Sequence, residues 1–365
     1  MGGAAVRIYA PGRRYRQGSA GSGECPGTLA PGRAASHLAR PLSAPRVLPD
    51  LFLDRLARIV PPGRLDAVRA TFDAPLATAF RVCALRAEPA AVLGALAAAG
   101  IAADAVGGVP GAYVVGPGQR AALLASEPYT RGDVYVQNVS SQLPPHLLAP
   151  EPGERVLDLC AAPGSKTGQL AAQMQNRGEI VAVEKVRGRY ARLRQNVLAQ
   201  GAAIVRPVLG SGAATWHHEP EAFDRVLVDA PCTTEGRFRS DVPETTRYWS
   251  RRKIKEMRST QRSLLFSAIQ CLRPGGRLVY STCTFAPEEN EGVVAKALRT
   301  FGDRVEVLDA GLDAALSAHV QPGLASWNGR AFPDAVGRTR RVLPDGRFEA
   351  FYVAVLTKHD TTLRA

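Results

Sequence analysis

From Glu154 onward the chain alternates between two patterns. Short, continuously apolar runs are bounded by Gly or charged residues: "RVLDLC", "EIVAVEK", "FDRVLVDAPC", "RLVYSTC" and "FEAFYVAVL". Such runs predict strands buried on both faces. Between them, apolar residues recur at the spacing of one helix face. "GSKTGQLAAQM" opens a helix, and "RGRYARLRQNVLAQG" carries Tyr190, Leu193 and Val197 on one face with Gly201 at its end. "MRSTQRSLLFSAIQCLRPGG" has a stripe of Leu265, Ala268, Ile269 and Leu272, stopped by Pro-Gly-Gly. Alternating strands and helices predict an α/β fold with a mostly parallel, doubly wound sheet. Its ligand site belongs beyond the carboxyl ends of the strands.

The pattern before Glu154 differs. Residues 49–130 read as a smaller α/β domain: a helix in "LPDLFLDRLARIV" with Phe52, Leu56 and Ile59 at helical spacing, a strand in "TAFRVCALR", a helix in "PAAVLGALAAAGI" closed by Gly100, and a strand in "GAYVVG". "YTRGDVYVQNVSSQLPPHLL" leads into the larger domain, taken as residues 131–360. Residues 1–48 lack periodicity, are rich in Gly, Ala, Pro, Ser and Arg, and hold one acid, Glu24; they read as a disordered basic tail. An Arg-rich, acid-poor tail also suits a mitochondrial targeting segment, but no clear amphipathic helix supports that reading.

Composition adds a partner. Among 365 residues, Lys and Arg exceed Asp and Glu by 46 − 33 = 13. That excess suits a polyanionic partner, RNA or DNA, or simply a soluble enzyme of arginine-rich composition. The basic run "SRRKIKEMRSTQR" fits a phosphate-contacting surface, or equally a solvated helix face. No apolar run is long enough to span a bilayer, so no membrane partner is expected. The six cysteines form no CxxC and no zinc-ligand spacing, so neither a metal nor a disulfide framework is expected, and a reducing, cytoplasmic compartment is.

The strand ends carry the candidate chemistry. "LDLCAAPGSKTGQL" brings small residues, Ala161, Ala162 and Gly164, to the start of a helix, where backbone can approach a negative group. It is neither a Walker loop nor a GxGxxG fingerprint. Glu184 ends the second strand, the place where an acid accepts from ribose hydroxyls. Each feature alone is an ordinary turn or a capping acid; in this order they point to a nucleoside-containing cofactor. Two further strands end in cysteines, "DAPC" at Cys232 and "YSTC" at Cys283. Cys25, Cys83, Cys160 and Cys271 read as small buried residues. Two thiols meeting at one edge could also oxidise as a pair. Glu288, Glu289 and Glu291, which follow, read as acids capping the next helix.

Taken together, "DLCAAPGSK", Glu184, "DAPC" and "YSTC" followed by "PEENE" resemble the Sun-type (Nop/Sun) RNA cytosine-5 methyltransferases, over roughly residues 49–358. The resemblance implies a Rossmann-like class I methyltransferase sheet with one antiparallel strand near the C-terminus, an RNA-contacting N-terminal domain, and S-adenosylmethionine as cofactor. It implies that Cys283 attacks cytosine, that Cys232 releases the adduct, that Asp229 hydrogen-bonds the base and that Lys166 reaches the cytosine and favours a nearby thiolate. The implied cofactor residues are Cys160, Ala161, Ala162, Pro163, Gly164, Ser165, Lys166, Glu184, Arg189 and Asp229. The implied substrate is a single-stranded or loop cytosine in rRNA or tRNA, and a monomer is expected. DNA cytosine-5 methyltransferases share the "PC" element but lack a second thiol in an "STC" strand. A catalytically impaired RNA-binding or ribosome-assembly factor is the alternative, and no NPPY-like amine-site motif supports a protein or small-molecule substrate. Three departures stand out. Ser211 occupies the place of an adenine-contacting acid. Thr234 replaces a glycine of "DAPCSGxG" and is strained if that position needs positive φ. "RSDVPETTRYW" is one residue longer than usual.

Overall fold

A computed structural model describes residues 48–75, 77–312 and 316–363. The tail read at 1–48, up to residue 47, and Cys25 lie outside the described residues. The described chain opens with α1 (Asp50–Ile59) and α2 (Pro62–Ala70). A small antiparallel sheet follows, in the order β2-β3-β1-β4, from β1 (Thr78–Val82), β2 (Ala103–Ala105), β3 (Ala112–Val115) and β4 (Val134–Val136). Helices α3 (Pro89–Ala98), α4 (Arg120–Ala125) and α5 (Glu127–Arg131) connect its strands. The fourth strand carries this sheet past residue 130. Gly100, at φ 75°, ends α3 as expected, because only glycine enters that region without a steric cost.

Helix α6 (Val139–Leu148) then crosses to the larger sheet. It contains Pro144 and Pro145, and nearly all of its residues are buried. Prolines and uniform burial erase the helical period, so this helix is not legible as an apolar stripe. The parallel strands are β5 (Arg155–Asp158), β6 (Glu179–Glu184), β7 (Val205–Leu209), β8 (Phe223–Asp229) and β9 (Leu272–Thr282), in the order β7-β6-β5-β8-β9. Helices α7 (Ser165–Gln173), α8 (Arg187–Ala199), α9 (Arg251–Cys271) and α10 (Glu291–Phe301) connect or follow them. Leu272 is already in β9, so the stripe on α9 ends at Ile269 and the Pro-Gly-Gly segment lies within the strand.

The expected antiparallel strand near the C-terminus is β15 (Phe351–Lys358), paired to β9; β10 (Val305–Leu308), β11 (Val320–Pro322) and β14 (Arg340–Val342) extend the sheet beyond it. A separate hairpin joins β12 (Ser326–Trp327) and β13 (Arg330–Ala331). Successive strand residues feed opposite faces. Val156, Ile180, Leu227 and Val279 pack under α6, α7 and α8, while Leu157, Val181, Val226 and Leu278 pack under α9 and α10. The strand order reverses at β5, between its partners β6 and β8, so the loops after β5, β6, β8 and β9 meet at the switch point.

Candidate active site

The loop after β5 turns directly into α7. Gly164, at φ 101°, makes the turn, and a Cβ there would lie 3.2 and 3.3 Å from Leu193 and Val197 of α8. Side chains hold the loop carbonyls from outside: Arg189 donates to the Ala162 oxygen (2.7 Å), Asn196 to Pro163 (2.8 Å), Gln200 to Gly164 (3.1 Å) and Arg81 to Ser165 (2.9 Å). Asp158, at the tip of β5, accepts from Thr167 Oγ1 at 2.8 Å, and burial raises its carboxyl to about 6. Glu184 ends β6 with a side chain only 3% exposed; the Val186 amide donates to it at 2.8 Å and Arg189 lies 3.4 Å away.

Strands β8 and β9 run in parallel with Asp229 opposite Ser281, and the Ala230 amide donates to the Ser281 carbonyl at 2.9 Å. That register brings the next turns together. Cys232 and Cys283 face each other with Sγ–Sγ 3.4 Å. The Gly236 amide donates to the Cys283 carbonyl at 3.0 Å. Below the thiols, Lys166 Nζ donates to Asp229 Oδ2 (2.6 Å) and Ser141 Oγ (2.7 Å), and Ser281 Oγ donates to Asp229 Oδ1 (2.9 Å). One cavity of about 460 Å³ runs from Glu184 to the thiols. Cys160, Ala162, Pro163, Ser165, Lys166 and Arg189 line it, with Asp229, Cys232 and Cys283 at the other end. Ala161 and Gly164, also expected to contact the cofactor, are not among its lining residues.

A buried acid at the end of β6, small residues at the turn and a helix N-terminus make a donor set that fits the nucleoside and amino-acid parts of S-adenosylmethionine. Among the described residues, no cluster of three or more His, Cys, Asp or Glu could hold a metal ion.

Residues 145–357 match the family described as 16S rRNA methyltransferase RsmB/F. The chain belongs to the RsmB/F family. It is 39% identical over 231 residues to the tRNA (cytosine(49)-C(5))-methyltransferase of Pyrococcus abyssi, covering 63% of this chain and 72% of that one. It is 37% identical over 296 residues to ribosomal RNA small subunit methyltransferase F of Cronobacter sakazakii, covering 77% of this chain and 62% of that one. The crystal structure of a methyltransferase homolog protein from Pyrococcus horikoshii superposes with a TM-score of 0.72 at 30% identity, covering 86% of this chain and 96% of that one.

Within this RsmB/F chain the two thiols are unequal. The Cys283 thiol is lowered, first by the hydrogen bond from Cys232 and then by the Arg237 guanidinium, against the opposing effect of burial. Cys232 is raised well above the ordinary range, first because it is the donor to Cys283 and then by burial. Of the two, Cys283 is therefore the readier to ionise. The Arg237 side chain is 51% exposed, so water screens part of its pull. Lys166, expected to favour the thiolate, is instead spent on Asp229 and Ser141; the cation acting on Cys283 is Arg237.

The three acids after "YSTC" are not simple caps. Glu288 forms a bidentate pair with Arg55 (3.1 and 2.6 Å), and Glu291 pairs with Arg341 at 2.5 Å, fully buried. Glu289 is buried against the Cys232 turn: it accepts from the Thr233 amide (3.0 Å), from Gln261 (2.8 Å) and from Thr233 Oγ1. Burial raises its carboxyl to about 8. Arg237, Glu289 and Ser281 were missed as site residues, although all three lie in or just after the quoted motifs. Ser211 lines the cavity. Thr234 has φ 55°, the left-handed conformation its β-branch disfavours. The "RSDVPETTRYW" segment packs back on the end of α2, where the Ser240 amide donates to the Phe72 carbonyl at 3.1 Å.

Proposed function

We propose that this protein methylates carbon 5 of a cytosine in rRNA or tRNA, using S-adenosylmethionine and a covalent Cys283–carbon 6 adduct. The observation that carries the reading is the pair of thiols 3.4 Å apart in the cavity that also holds the cofactor loop. A base inside a duplex cannot reach such a cavity, so the substrate is a splayed or loop cytosine.

Carbon 5 of cytosine is a poor nucleophile. The Cys283 thiolate forms a bond to carbon 6, the carbon 5–carbon 6 π bond breaks, and its electron pair makes carbon 5 enamine-like. Asp229 hydrogen-bonds the base edge and favours protonation of the ring nitrogen by water as the thiolate adds, a proton that returns to water on elimination; Lys166 and Ser281 hold its carboxylate in place. Glu184, Arg189 and the Cys160–Ser165 loop hold S-adenosylmethionine, which when bound supplies the electrophilic methyl group. Once Cys283 is bonded to carbon, the hydrogen bond that raised Cys232 most is gone. Cys232 then gives up its proton to water and removes the carbon 5 proton. The carbon 5–carbon 6 double bond re-forms and Cys283 leaves as thiolate.

The test is incubation with methyl-labelled S-adenosylmethionine and bulk tRNA and rRNA, followed by nucleoside analysis. Label in 5-methylcytidine is expected. Its absence from every RNA class contradicts the proposal.

A further inference from the structure

A second cavity, of about 710 Å³, lies between α1, α9, α10 and the β12–β13 hairpin. It is lined by Arg251, Lys255, Arg258 and Arg262 of α9, Arg299 of α10 and Arg330 of β13. The one acid in its wall, Glu288, is consumed: both its oxygens bind Arg55, and Trp327 Nε1 donates to it at 3.0 Å. Arg55 also lines the cavity; among the described residues the other six lining cations have no acid partner. The Nε atoms of Arg258 and Arg262 are buried without any hydrogen-bond partner. The Arg262 guanidinium is lowered, first by burial and then by repulsion from Arg258 and Arg299. Crowding like charges without counterions costs stability, and an anion in the cleft relieves it.

We propose that this cleft binds the phosphodiester backbone of the substrate RNA, beyond the cytosine being methylated. The inference rests on the RNA reading above. Guanidinium forks match phosphate oxygens in pairs, and a cavity of this size takes more than one phosphate. Helix geometry supplies the path. Residues 251, 255, 258 and 262 form one stripe along α9, while Thr260 and Leu264, on the other flank of its buried face, line the catalytic cavity. The two cavities are thus separated by about one helix diameter, roughly 10–12 Å. The chain's own N-terminal tail does not suit the cleft, because residues 1–47 carry seven arginines and one acid.

The test is binding of a long single-stranded RNA across a salt series, with R299Q and with the triple variant R258Q/R262Q/R299Q. Each lost phosphate contact removes about 0.7 from the slope of log affinity against log salt. The triple variant is expected to lose about 2 from that slope and to bind about tenfold more weakly at physiological salt. The ratio of kcat/KM for long RNA to that for a short oligonucleotide around the target cytosine is expected to fall similarly. Arg299 is exposed, so R299Q alone, with a loss of about 0.7, keeps the test sharp if the triple variant fails to fold. Unchanged slope and affinity in the variants, with a wild-type protein that still methylates RNA, overturns the cleft and spares the activity. Poly-glutamate competing as well as RNA assigns the cleft to an acidic protein segment and overturns the proposal. A wild-type protein that binds no RNA removes both readings.

Discussion

Thr234 follows the Cys232 turn in the left-handed region, φ 55° and ψ 32°. That conformation costs a non-glycine residue ~1–2 kcal/mol, and glycine's extra freedom when unfolded returns about 0.5–1. Thr234→Gly is therefore expected to stabilise the protein by about 1 kcal/mol in denaturant unfolding. Lower stability in the variant contradicts the strain. Glu289 gives a pH signature. Its folded carboxyl titrates near 8 against 4.5 for an ordinary glutamate, so between those values the folded state binds more protons than the unfolded state. Its contribution is therefore most favourable below about 4.5 and is lost as pH rises toward 8. Glu289→Gln mimics the protonated acid. It is expected to match wild type near pH 5 and to be more stable by roughly a few kcal/mol above pH 8. Parallel stability curves for the two proteins contradict the assignment. The acids at 288, 289 and 291 could not be read correctly from local pattern. Their partners are Arg55, Thr233 and Arg341, which lie 233, 56 and 50 residues away, and acids at a helix start ordinarily face water.

At the scale of elements, the site depends on how the turns after β8 and β9 pack. An alanine Cβ at Gly236 would lie 2.5 Å from the Ala350 carbonyl and 3.1 Å from the Cys283 carbonyl. Backbone on both sides cannot yield without moving Cys283. Gly236→Ala is expected to cost about 1–3 kcal/mol of stability and at least tenfold in kcat, because small misplacements of reacting groups are expensive. Near-normal turnover contradicts this packing. Parallel strands β5, β6, β8 and β9 were legible because each carries an apolar run buried on both faces, whereas β7, half-exposed and interrupted by Arg206 and Pro207, was not. Helix α6 was not, since two prolines and burial all round leave no stripe. Edge strand β11 and its neighbour β14, of three residues each, are too short to show alternation.

At the scale of the whole molecule, the N-terminal part is built into the site. Phe52 of α1 packs on Phe238 at 4.9 Å and Phe285 at 6.2 Å, and these rings follow closely after the two thiols in sequence. Arg81 of β1, 5% exposed, binds Gln137, Gln200 and the Ser165 carbonyl and so ties the small sheet to the cofactor loop. Arg81→Met leaves these acceptors unpaired. It is expected to lower stability by about 1–3 kcal/mol and to raise KM for S-adenosylmethionine; an unchanged KM contradicts the coupling. The motifs marked both thiols and the cofactor loop, because strand tips converge wherever a doubly wound sheet reverses. The Arg81 tie and the aromatic cluster join segments far apart in the chain, and no local signal encodes them.

The division of labour between the thiols is the central claim, and denaturing electrophoresis after incubation with S-adenosylmethionine and substrate RNA tests it most directly. Cys232→Ala is expected to accumulate a covalent protein–RNA adduct, and Cys283→Ala to form none. An adduct in Cys283→Ala and none in Cys232→Ala would contradict the account and exchange the two roles.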